Sequence, residues 1–82
     1  MLVAFDFGIS NTDIAVFQDN KISFKSVPSE HKSISPELIK EVLAIHSLLL
    51  SEISFIGVTG GKSSDLPENI DLIPIIKINE VD

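Results

Sequence analysis

Residues 35 to 50, "SPELIKEVLAIHSLLL", carry the one long helical periodicity in the chain. A single helix set among strand-like runs limits the possible folds more than any other feature. Ser35 is placed to cap the helix, Pro36 to open it, and Glu37 to meet the positive end of its dipole. Leu38, Val42, Ile45 and Leu49 form one stripe, with Ile39, Leu43, His46 and Leu50 beside it. Glu37, Lys40, Glu41, Ser47 and Ser51 fall mostly away from both. The spacing predicts an amphipathic helix with a wide buried face.

Around that helix the chain reads as strands. "LVAFDFG" (2–8) is nearly unbroken apolar sequence, as in a strand covered on both faces. "DIAVFQ" (13–18) favours extended backbone, and "QDNK" (18–21) reads as a turn. "KISFKSV" (21–27) alternates Ile22 and Phe24 with Ser23 and Lys25, the pattern of a half-exposed strand. These three segments predict a meander. Beyond the helix, "ISFIGVTGG" (53–61) predicts a strand ending in a glycine pair, "KSSDLPEN" (62–69) a loop, and "LIPIIKI" (72–78) a last short strand.

The predicted order is βββ–α–β–loop–β, with residues 1–82 forming one α/β domain on a mixed sheet. A helix between strands implies a crossover and a parallel pair. One helix covers only one sheet face, so the other face needs a partner chain, a second copy or a further segment.

Composition narrows the function classes. Six lysines, no arginine and twelve acids give a formal charge of −6, which argues against nucleic acid as a partner. Backbone N–H groups and Mg²⁺ can still hold a nucleotide on an acidic protein. No stretch approaches the roughly 20 apolar residues of a membrane span, and no leader pattern opens the chain. With no cysteine for a disulfide frame or thiolate site, the expectation is a cytoplasmic protein.

Three polar groupings fall at the C-terminal ends of strands predicted to be parallel, the edge where open α/β sheets bind ligands. They are Asp6 with Gly8, Thr59 with Gly60 and Gly61, and Glu80 with Asp82. Asp6 reads either as a Mg²⁺ or water ligand beside a transferred phosphate, or as the cap of the following turn. The stretch Gly8, Ile9, Ser10, Asn11, Thr12 could wrap phosphate oxygens, and a plain hairpin accounts for it equally well. Gly60 and Gly61 permit close backbone approach to a ligand or simply a tight turn. Lys62 reads as a phosphate contact or a solvated cation. His46 reads as a packed residue and His31 as part of a polar loop. Glu80 could take a proton from a substrate hydroxyl, but on its own reads as a solvated residue near the end.

Taken in order, the apolar first strand, Asp-x-Gly, the small-residue turn, "QDN", the helix, "VTGG", "LPENIDLIP" and "NEVD" resemble the N-terminal half of a type II pantothenate kinase. That family belongs to the actin-like ATPase superfamily of acetate and sugar kinases, Hsp70 and actin. The resemblance covers essentially all 82 residues. It implies a ribonuclease-H-like half-domain and ATP-dependent, Mg²⁺-assisted phosphorylation of pantothenate in coenzyme A synthesis. By the same resemblance, Asp6, Gly8, Ser10, Asn11 and Thr12 belong to the first phosphate loop, and Thr59, Gly60 and Gly61 to the ligand cleft. Glu80 matches the general base.

Two positions depart from the family pattern: Ile9 stands for the loop's second glycine, and Asp13 for a lysine that faces phosphate. The family also binds ATP between two halves, so activity is expected only with a second half. The rival expectation is a non-catalytic half-domain that binds a protein or itself through its uncovered sheet.

Overall fold

The computed structural model describes residues 1–29, 34–60 and 63–78. Among them are six strands: β1 (Leu2–Phe7), β2 (Asn11–Gln18), β3 (Lys21–Pro28), β4 (Phe55–Thr59), β5 (Asn69–Ile70) and β6 (Ile73–Lys77). One helix, α1 (Pro36–Ile45), and two short 3₁₀ turns complete the described elements. The strands form one mixed sheet in the order β3-β2-β1-β4-β6-β5. The meander β1-β2-β3 is antiparallel, β4 joins β1 in parallel, and β6 joins β4 in parallel. The expected α/β class and mixed sheet are therefore present. No described helix is long and apolar enough to cross a membrane.

Local chemistry explains the first turn. Asp19 and Asn20 both have positive φ, 55° and 62°, and join β2 to β3 through a two-residue loop. Two left-handed residues match the natural twist of a hairpin, and Asp and Asn tolerate that conformation better than most.

The helix starts where the sequence indicates, with the Ser35 side chain accepting a hydrogen bond from the Leu38 N–H at 3.1 Å. It ends earlier than the apolar periodicity implies. After Ile45 the backbone turns through Ser47 at φ 57°. The Leu48 N–H then donates to the Leu43 carbonyl and the Ser47 N–H to that of Ala44, at 2.9 and 3.0 Å. That pair of bonds is a Schellman cap, which satisfies orphan carbonyls and reverses the chain. Ile45 and Leu49, expected in the buried stripe, are consequently exposed, and the inward residues are Ile39, Val42 and Leu43. Serine in the left-handed region is strained where glycine is not. Ser47→Gly is expected to stabilise the fold by about 0.5–1 kcal/mol, read as a higher urea midpoint.

The second difference is β5. Its two residues turn back through Asp71 (φ 54°) to pair with β6, extending the sheet where Asn69 was expected at the end of a loop and Ile70 in no element. A two-residue strand leaves no periodicity to read.

Among the described residues, one buried cluster lies on one side of the sheet. Val3, Phe5 and Phe7 of β1, Ile14 and Val16 of β2, and Ile56 and Val58 of β4 meet Ile39, Val42 and Leu43 of α1. The opposite sides of the same strands carry Ala4, Asp6, Asp13, Ala15 and Phe17. No described element covers them, in line with the expectation of one helix for two faces.

Candidate functional site

Parallel pairing of β1 with β4 places Asp6 directly beside Thr59, at the C-terminal ends of both strands. Gly60 follows with φ 79°, and a Cβ built on it would lie 2.9 Å from Asp6 Oδ1 and 2.7 Å from the Phe7 carbonyl oxygen. The Asp6 carboxylate thus leans over the bare backbone of Gly60, which has room for it only because Gly60 has no side chain. Of the three groupings expected at this edge, two converge. Glu80, Asp82, Gly61, Lys62 and His31 lie outside the described residues.

Across the antiparallel pair, Asp6 is registered directly opposite Asp13, and both are exposed on the open face. Cβ atoms in directly opposed pairs are about 4.5–5.5 Å apart, and like charges there are destabilising. No cation among the described residues pairs with either carboxylate. The two border a groove of about 530 Å³ with Ser26 and Thr59, floored by Ala4 and Ala15. Asp13→Asn is expected to stabilise the fold by about 0.2–1 kcal/mol. The gain should shrink at high salt, because the repulsion it removes is screened; urea titrations at two ionic strengths measure both.

The small-residue turn is held from within. The Gly8 N–H donates to the Asn11 carbonyl at 3.0 Å, and a Cβ on Gly8 would lie 2.6 Å from that oxygen. Ser29, at the end of β3, clamps the turn: its hydroxyl donates to the Gly8 carbonyl at 2.8 Å and its N–H to the Ser10 carbonyl at 2.9 Å. Its one hydroxyl proton being spent, Ser29 Oγ accepts from Thr12 Oγ1 at 3.2 Å. Thr12 is buried on the helix side, opposite Phe7, away from the face that bears Asp6 and Asp13. Of the residues expected to wrap phosphate, Ser10 and Asn11 stay exposed on the turn, while Gly8 and Thr12 brace it. Ile9 is 89% exposed at its tip. Ser29 is not distinguishable in the sequence, since one serine in a serine-rich loop carries no signal.

Chemically, the arrangement suits a hard cation better than a bare anion. Two adjacent carboxylates and a hydroxyl match Mg²⁺, which commonly takes one or two carboxylates and completes its octahedron with water and phosphate oxygens. No group of three acidic or histidine side chains that could hold a metal by themselves occurs among the described residues. His46 lies at the C-cap of α1, half-buried, its Nε2 shut off from solvent without a hydrogen-bond partner among the described residues. That position belongs to the helix end, not to the Asp6 edge. Compared with protein-family models and with curated proteins, the chain matches none.

Proposed function

We propose that the chain is the N-terminal portion or subunit of a pantothenate-kinase-like phosphotransferase, a ribonuclease-H-like half-domain that acts with a second half. The observation that carries this reading is the Asp6 carboxylate beside Thr59 and over Gly60, at the C-terminal ends of two central parallel strands. An antiparallel meander continued by parallel β4 and β6 is the strand arrangement expected of such a half-domain, and supports it.

In this reading Asp6 and Asp13 would hold Mg²⁺, which would supply positive charge to neutralise the phosphates of ATP. Without such a cation, Asp13 would repel the phosphates. Ser10 and Asn11 contact phosphate from the turn, and the glycines after Thr59 admit pantothenate. Glu80 takes the proton of its hydroxyl. Rate enhancement comes from in-line positioning and charge neutralisation. The second half supplies the remaining phosphate contacts and the adenosine pocket, and the reaction belongs in the cytoplasm.

The test is a complex of this chain with the polypeptide encoded directly downstream, assayed for pantothenate-dependent ADP release from MgATP. ADP release is expected, and Asp6→Asn should lower it at least 100-fold with complex formation unchanged. A complex that forms yet releases no ADP above the blank overturns the reading. The second reading, a non-catalytic half-domain that binds a protein, is favoured by Ile9 and Asp13 and by the open face, where Phe24 is 78% exposed.

A further inference from the structure

The open face of the sheet is a trough with a particular shape. Its floor is made of the smallest side chains available: Ala4 of β1, Ala15 of β2 and Gly57 of β4, which are neighbours in register. Phe17, Ile22 and Phe24 rise along one side, exposed by 41, 58 and 78%. On the other side Ile78, 52% exposed, reaches over Gly57, where a Cβ would meet its Cδ1 at 3.4 Å. Two adjoining grooves, of about 530 and 230 Å³, share Ala4, Ala15 and Ile78 and follow β1 from end to end. One end is apolar, beside Leu2 and Phe55; the other is closed by the paired carboxylates Asp6 and Asp13.

We infer that this trough is the seat of an amphipathic helix from a partner protein, lying along β1 with a lysine or arginine over Asp6 and Asp13. Shape selects a helix, because its convex ridge of side chains fills a concave floor that a flat sheet would leave as voids. Length fits as well: six strand residues span roughly 20 Å, the rise of about 13 helical residues.

Charge selects the end group. Two like charges in direct cross-strand opposition gain from a shared cation, and none among the described residues supplies one. Lys25 borders the groove but is registered opposite the buried Ile14, so strand alternation sends its side chain to the helix side. A second copy is a poor occupant. Two concave floors do not interlock, each chain carries a net charge of −6, and on the outer side of α1 Glu37 and Glu41 are acidic while Lys40 already faces Asp71 at 3.6 Å. The inference does not rest on phosphotransfer and competes with it at one point, because a lysine or arginine over Asp6 and Asp13 takes the place that reading gives to Mg²⁺.

The test is selection of displayed 14-residue helical peptides on the whole chain, with EDTA and no nucleotide, followed by fluorescence anisotropy of the winners. Enriched peptides are expected to carry an apolar i, i+3, i+4, i+7 stripe and Lys or Arg at one end. Ala15→Leu, which fills the floor, should weaken them at least ten-fold. Phe24→Ala, at an exposed position where folding is not at risk, should weaken them several-fold. Asp13→Asn should weaken them and flatten the salt dependence. Leu72→Ser, at the β5–β6 turn and 97% exposed in the parent, should leave affinity unchanged. Failure to enrich, enrichment of extended or acid-ended peptides, or indifference to Phe24→Ala overturns the inference. So does sedimentation showing a dimer that Phe24→Ala dissociates, which would make a second copy the occupant.

Discussion

Phe5→Ala is expected to cost the fold about 3–5 kcal/mol, while Phe24→Ala changes its stability by less than about 0.5 kcal/mol. Both are phenylalanines in β-strands, and the difference lies in what each one faces. Phe5 is 1% exposed in the central strand, registered between Ile14 of β2 and Val58 of β4, and stacked on Phe7 at a centroid distance of 5.5 Å. Removing such a side chain loses its transfer energy and leaves a cavity, together about 3–5 kcal/mol. A chain of 82 residues has about 4–12 kcal/mol in total. Among the described residues, with one helix on one face, no second core compensates. Far-UV circular dichroism during urea titration reads both variants. A loss below about 1 kcal/mol for Phe5→Ala would contradict a core confined to the helix side.

Gly60→Ala is expected to damage the candidate site and the fold together. At φ 79° an alanine is strained, by about 1–2 kcal/mol. Its Cβ would also lie 2.7 Å from the Phe7 carbonyl oxygen and 2.9 Å from Asp6 Oδ1. The Asp6 side chain can rotate away, but the Phe7 carbonyl belongs to a paired strand and cannot. The variant should lose about 2–3 kcal/mol in all, with Asp6 turned from its place over residue 60. In the phosphotransfer reading, ADP release by the reconstituted complex should fall even at temperatures where the variant stays folded. Wild-type stability in Gly60→Ala would mean that the turn relaxes without strain, and Asp6 would then not depend on it.

Features set within a few residues are legible in the sequence alone. Asp19–Asn20 reads as a turn because those side chains tolerate positive φ. Ser35-Pro36 reads as a helix start because a hydroxyl and a missing N–H both suit the first turn. The gathering of Asp6, Thr59 and Gly60 is also legible, since it needs only that two strands run parallel. The helix end is not. Apolar residues continue at helical spacing to Leu50, yet a cap at Ser47 stops the helix at Ile45, and nothing in a serine announces a left-handed turn.

By itself, then, the sequence determined, for the described residues, the number of long strands, the single helix, the first hairpin and the open face of the sheet. These follow from backbone preferences and from the 2.0 and 3.6 periods, which act over short range. The tertiary structure alone decided which residues meet. Strand pairing set Asp13 opposite Asp6 and sent Thr12, its neighbour, to the buried side with Ser29. The same pairing aligned Ala4, Ala15 and Gly57 into one floor. Register is a long-range quantity, and a shift of one residue would turn each of these side chains to the other face.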